Sequence, residues 1–261
     1  MAAAHVSARD ARISALLSTR STPPGTLIAE GEWAHRCLLD AAGDIETFVW
    51  CPELLGDDGR ALARAAAGRA RASFTVSVKT FARVSRRNRP SGLASLVRLP
   101  DWRAGDGVIG GRPVGPGTVV LVADGIEYAS NLGALVRVVD ASGAAALIVT
   151  SRRARVESPE VFTASRGTVL TTPVIDLGSP AQAATWLERH GFAVHLALPG
   201  AEGHFRDRPR GDRPTAIVVG SEGNGVAPEW REVPHEAVSI PMRGRADSLN
   251  VAVAAGVLLF G

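Results

Sequence analysis

The sequence predicts an α/β protein of two domains, a C-terminal one on a mostly parallel sheet covered on both faces and a small α/β/α domain before it. Three observations carry this reading. From Thr118 onward short apolar runs alternate with helix-length segments, the pattern of strands buried in a parallel sheet under crossover helices. A shorter alternation of the same kind occupies residues 23–100, and between the two lies Asp101–Gly117, with six glycines and two prolines, read as a linker. The length, 261 residues with 46% apolar, suffices for two ordinary cores.

Taken in order, residues 1–22 read as a helical arm. Val6, Ile13, Leu16 and Leu17 fall near helical spacing over 5–20, and Thr22-Pro-Pro-Gly25 breaks the helix. The smaller domain then reads as strand Thr26–Ala29, a helix near Glu32–Ala42, strand Ile45–Trp50, a helix around Arg60–Arg71 and strand Ser73–Val78. Lys79–Ser85 reads as a further helical turn before a last strand, Leu93–Leu99. Within the linker Gly105, Gly107 and Gly110 match GxGxxG, but Arg112, Pro113 and Pro116 follow where a dinucleotide fingerprint needs a helix. The larger domain, 118–261, reads as strands at 118–124, 145–150, 172–176 and 192–197, with helices near 130–141, 158–166 and 180–190 between them. Strands 215–219 and 236–240 and an apolar helix opening at Ser248 complete it.

Charge is unevenly spread. The net value is +3, yet Arg60–Arg112 holds twelve Arg or Lys against two Asp, a local +10 that leaves −7 on the rest. Such a block inside a foldable segment favours a phosphate backbone as partner over a merely solvated face. No apolar run approaches the ~20 residues of a membrane span, and charge interrupts the N-terminus before any signal-like core. Cys37 and Cys51 form neither a CxxC pair nor a disulfide framework. A soluble, cytoplasmic protein with reduced thiols is the expectation. His5, His35, His190, His195, His204 and His235 show no metal-ligand spacing, and no GxSxG elbow occurs, so neither a metal site nor a serine hydrolase is expected.

The chemistry concentrates in Ile217–Gly261, where two strand-like runs each end in a loop of small residues ahead of the last helix. Glycines at 220, 223 and 225 let main chain approach a ligand, and strand-end N–H and C=O groups can hydrogen-bond a nucleoside. Taken singly, SEGNG is a turn and SLN a helix cap. Together GSEGNG, SIPM and SLNVAVAAG resemble the second and third motifs of the SpoU/TrmH branch of the SPOUT RNA methyltransferases. Asn131-Leu-Gly-Ala-Leu-Val-Arg137, directly after the first strand of this domain, resembles the first. The segments TLIAEGEWAHRCLLDAAGDIETFVWCPELL and KTFARVSRRNRPSGLASLVRLP resemble the ribosomal-protein-like substrate-binding domain that precedes the catalytic domain in many of these enzymes.

The resemblance implies a SPOUT domain with a deep trefoil knot, a homodimer, and S-adenosyl-L-methionine as methyl donor to a ribose 2′-hydroxyl of RNA. The last helix stops at Phe260-Gly261, earlier than the family leads one to expect, so a shortened chain is the expectation. The cofactor would lie on the main chain of Gly220, Ile240 and Leu249, with Ser221, Thr150 and Met242 around it. Catalytic candidates are Asn131, Arg137, Glu222, Ser248 and Asn250, each at a polar position of the motifs. Guanidinium is a poor base, so Arg137 is expected to hold phosphate and stabilise a developing alkoxide, or else to form a salt bridge with Asp140 or Asp124. Asn131 orients ribose, holds the loop or caps its helix, Ser248 both caps the last helix and serves the site, and Glu222 pairs with Arg137 or fixes the 220–225 loop. Arg243 and Arg245 face RNA or solvent. Ribosomal RNA is the expected substrate, with a transfer RNA methylase of the same branch or a non-catalytic RNA-binding protein as the alternatives.

Overall fold

A computed structural model describes residues 3–17, 22–103, 105–207, 211–221 and 223–261. The chain divides into two compact units, one of residues 1–101 with 157–162, the other of 102–156 with 163–261.

In the first unit β1 (Ala4–His5), β2 (Thr26–Glu30), β3 (Asp44–Trp50), β4 (Ala72–Thr75) and β5 (Leu93–Arg98) form one sheet in the order β1-β4-β3-β5-β2. Strands β1, β4 and β3 run parallel, and β5 is antiparallel to both β3 and β2. Alternation along β3 separates two cores. Val49 joins Ile13 and Leu16 of α1 (Ser14–Leu17) and its preceding turn, with Phe81 and Val84 of α4 (Val78–Val84), on one face. Phe48 turns to the other, where α2 (Glu32–Asp40) brings the His35 ring to 5.2 Å and α3 (Asp57–Arg69) buries Leu62, Ala63 and Ala66.

The expected helical arm over 5–20 is not one helix. Ala4–His5 pairs with β4, and a 3₁₀ turn at Ala11–Ile13 opens on Asp10, whose carboxylate accepts from Arg12 N–H at 2.9 Å. The apolar spacing there records burial of Val6, Ile13 and Leu16 in the sheet's core, and residues 18–21 lie outside the described residues. Two polar devices fix this unit. His35 is fully buried, its Nδ1 donating to Gly31 O at 2.8 Å and its Nε2 accepting from the Ser95 hydroxyl at 2.9 Å. Burial pushes its pKa down to about 4, so the ring is neutral at pH 7. The basic loop after α4 hangs on Glu30, whose carboxylate accepts from the Ser85 hydroxyl at 2.5 Å and Arg86 N–H at 2.9 Å, leaving Arg86, Arg87 and Arg89 exposed.

The second unit opens on a small hairpin, β6 (Val108–Ile109) and β7 (Arg112–Pro113), in the stretch read as a linker. Ile109 is buried in this unit's core with Trp102 and Val114 packed beside it, so apolar anchors spaced among the glycines tie the stretch down. The main sheet has six strands, all parallel: β8 (Val119–Asp124), β9 (Ala146–Thr150), β10 (Val174–Asp176), β11 (Ala193–Ala197), β12 (Thr215–Val219) and β13 (Glu236–Val238), in the order β10-β9-β8-β12-β11-β13. Helices α5 (Ala129–Ser142) and α7 (Pro180–Arg189) lie between strands, α7 opening on a Ser179/Gln182 capping box, while most of α6 (Pro159–Ala164) belongs to the first unit. After β12 the chain buries Trp230 against the α7 side of the sheet, adds β13 at the edge beside β11, and returns to place α8 (Val251–Phe260) against α5. The last helix starts at Val251, not Ser248. Asn250 is its cap, accepting from Ala252 N–H at 3.0 Å, because its side chain reaches the first turn from an extended backbone.

Candidate active site

Six parallel strands bring all their carboxyl ends to one edge, where open α/β sheets bind ligands. There a pocket of about 330 Å³, within the ~300–1,000 Å³ usual for small-molecule sites, is walled mainly by apolar groups. Gly220, Ser221, Ile240, Met242, Ser248 and Leu249, six of the residues expected at the site, all line it. The chain after β12 supplies one wall. Ser221 and Gly225 exchange two backbone hydrogen bonds, at 3.1 and 2.9 Å, and the Ser221 hydroxyl accepts from Asn224 N–H at 3.2 Å. Gly220 lies so close that a Cβ there would fall onto the backbone of Gly225 and Val226. Its glycine is required by chain against chain as much as by any ligand.

Behind this wall stands Asp124, buried at the end of β8. Its carboxylate accepts from the Thr150 hydroxyl at 2.9 Å and from Ala227 N–H at 2.7 Å, joining β8, β9 and the chain leaving the 220–225 loop. Thr150, expected beside the cofactor, is buried as Asp124's partner and is not part of the pocket lining.

The two asparagines meet. Asn250 Nδ2 donates to Asn131 Oδ1 at 3.1 Å, linking the start of α5 to the cap of α8, one residue beyond Leu249 of the pocket wall. Asn131 is the third residue of α5, whose N-cap is Tyr128, so it does not cap that helix. Arg137 lies on the exposed side of α5 and is not in the lining. Neither expected salt-bridge partner holds it, since Asp124 is engaged as above and Asp140 accepts from the Thr172 hydroxyl at 3.4 Å. Glu222 lies outside the described residues.

Sequence reasoning missed Leu198 and Pro199 after β11, the carboxylate Asp247, and the Val251, Ala254 and Leu258 face of α8. A strand end running into Pro199-Gly200 was the one available signal for the first pair. Among the described residues no group of three or more His, Cys, Asp or Glu is placed to hold a metal, and no helix is long and apolar enough to cross a membrane.

Residues 118–260, containing the whole of this sheet and pocket, match the SpoU rRNA Methylase family. The chain belongs to that family. A Staphylococcus haemolyticus protein assigned to the TrmH family of tRNA/rRNA methyltransferases is 32% identical over 170 residues, 65% of this chain and 68% of that protein. The 23S rRNA (guanosine-2′-O-)-methyltransferase RlmB of Ralstonia nicotianae is 39% identical over 144 residues, 54% of this chain and 57% of its own, so the matched part is little more than half of that enzyme. Among solved structures, the SpoU methyltransferase AviRb of Streptomyces viridochromogenes, in complex with AdoMet, superposes with a TM-score of 0.81 at 25% identity, covering 97% of this chain and 96% of that one. An RNA 2′-O ribose methyltransferase gives 0.75 at 29% identity over 98% and 96%. The likeness to these two structures runs over nearly the whole chain, and the α/β fold with a parallel sheet is the fold of SpoU methyltransferases.

Proposed function

We propose that this SpoU-family protein is an S-adenosylmethionine-dependent methyltransferase acting on a ribose 2′-hydroxyl of structured RNA, ribosomal RNA by preference. One observation carries the reading: the Gly220–Ser221 and Ile240–Leu249 segments form a single pocket, and Asn250 ties Asn131 to its rim. The pocket's size and apolar wall, with strand-end backbone at Val219 and Val238, fit a nucleoside-bearing cofactor.

When bound, S-adenosylmethionine supplies a methyl group on a sulfonium for in-line displacement by the ribose oxygen. The chain's part is positioning and electrostatics. Arg137, exposed on α5, grips the neighbouring phosphate and stabilises the developing alkoxide, a role that a planar cationic guanidinium with several N–H donors suits better than proton abstraction. Asn131 and Asn250 orient the ribose as a unit, and Ser248 borders the pocket.

The N-terminal unit binds RNA through its exposed Arg86, Arg87 and Arg89. The protein is a cytoplasmic homodimer with a knotted C-terminus: α8 buries Val251, Ala255 and Leu258 but leaves Val253 53% and Phe260 62% exposed, an apolar surface for a second copy. Transfer RNA is the second reading, favoured by the tRNA/rRNA family of the Staphylococcus relative. The test is to incubate total RNA with protein and methyl-labelled cofactor, separate ribosomal from transfer RNA, and map the alkali-resistant position. Label in ribosomal RNA is the expected result, label in transfer RNA establishes the second reading, and binding without transfer to either overturns the enzyme.

A further inference from the structure

Tyr128 is the only tyrosine in the chain, and its side chain stands outside every contact that defines the pocket: the residue is 61% exposed. The turn that carries it is tied down by hydrogen bonds and an ion pair. Gly125 N–H donates to Thr150 O at 3.0 Å, and Ala154 N–H donates to Ile126 O at 3.0 Å, with Ile126 and Ala154 both buried. Arg153 meets the Glu127 carboxylate at 2.6 Å, and Leu132 N–H closes the first turn of α5 on Tyr128 O at 3.0 Å. An aromatic ring in water on a fixed mount offers a flat stacking surface whose backbone needs no ordering when a partner arrives.

Its place suggests the partner. Tyr128 caps α5 three residues before Asn131, which at ~1.5 Å per helical residue puts their backbones within about 5 Å along the axis. Asn131 is bonded to Asn250 at the pocket rim. On the loop bonded to this one, Arg152 and Arg153 are each held by a carboxylate, Asp176 at 3.3 Å and Glu127 at 2.6 Å, and keep their positions beside it. A ribose entering toward Asn131 brings its own base and the next ones with it, and single-stranded RNA bases are bound by stacking on aromatic rings.

We propose that Tyr128 is the stacking platform for an unpaired base at or next to the methylated ribose. The proposal rests on the ribose methyltransferase reading of the pocket. Tyr128 is a positioning residue: it orders the RNA and takes no part in bond making.

The test uses the full chain, S-adenosylmethionine and an unmodified 23S ribosomal RNA transcript. Tyr128→Ala is expected to raise KM for the transcript and weaken filter binding roughly tenfold or more, the scale of one lost base–aromatic stack. Tyr128→Phe and Tyr128→Trp keep the ring and are expected to stay near wild type in both. Cofactor affinity and thermal midpoint stay unchanged in all three, since the side chain is largely in water. Unchanged KM and RNA affinity in Tyr128→Ala overturns the proposal, as does Phe failing alongside Ala, which assigns the effect to the hydroxyl. Filter binding reads stacking without methyl transfer. Wild type that binds the transcript but transfers nothing to it breaks the ribosomal RNA reading, while the Ala-to-Phe contrast in affinity still decides the stack.

Discussion

Asn131 and Asn250 are 119 residues apart in the chain and joined by one amide–amide hydrogen bond of 3.1 Å. Asn250 has two duties at once, capping α8 through its oxygen and holding Asn131 through its nitrogen. Asn250→Ser keeps a capping oxygen but is too short to reach Asn131. If the pair acts as a unit, Asn131→Ala and Asn250→Ser each slow methyl transfer about tenfold and the double variant is no slower than the worse single one. Rates from a single-turnover double-mutant cycle check this, and a multiplicative hundredfold loss shows two independent roles.

Arg137→Ala is expected to leave cofactor affinity unchanged and to cut transfer by roughly a hundredfold or more, the effect of removing one preorganised donor. Lysine rescues little, because it keeps the charge but loses the planar fork. Calorimetry with S-adenosylmethionine and single-turnover labelling measure the two quantities. A wild-type rate in Arg137→Ala removes this residue from the chemistry.

The loop pinned by Glu30 gives a salt-dependent signature. Replacing Arg86, Arg87 and Arg89 together with alanine removes three cationic side chains, all exposed, and is expected to flatten the slope of log affinity against log salt by about two to three. Filter binding of ribosomal RNA across a salt series measures the slope. An unchanged slope moves the phosphate contacts to another surface.

His35 makes the stability of the first unit depend on pH in a defined window. Its folded pKa is about 4 against the ordinary 6.5 of a solvated imidazole, because burial disfavours the charged ring. The neutral ring is favoured by the fold, so its contribution is complete above pH 6.5 and is lost as pH falls toward 4, a total of about 3 kcal/mol. Urea unfolding of wild type and His35→Gln from pH 7 to 4 tests this. The two curves are expected to converge as pH falls, and parallel curves refute the assignment.

The parallel sheet was legible because its strands are unbroken apolar runs, Val119–Asp124 and Thr215–Val219 among them, and the motifs marked the pocket-forming loops. Other features depended on partners distant in sequence. Ser248 and Asn250 are both capping residues, and only the backbone path decides that Asn250 caps α8. The resemblance placed Thr150 near the cofactor, whereas its hydroxyl is engaged by Asp124, 26 residues earlier. The hairpin at 108–113 was hidden by its glycines and prolines, since the anchors Trp102 and Ile109 show no period. Leu198 and Pro199 reach the pocket only through the placement of β11 beside β12.

The contact of Gly220 with the Gly225 backbone has a consequence for how such a site diversifies. Gly220 carries no side chain to exchange, and any Cβ introduced there meets main chain that cannot give way. Substitution there cannot grade cofactor affinity in small steps; it can only keep the wall or break it. Graded change around the site therefore falls to exposed side chains away from that contact, such as Tyr128 and Met242. The main-chain contact at Gly220 is closed to gradual change, and the exposed side chains around the pocket are open to it.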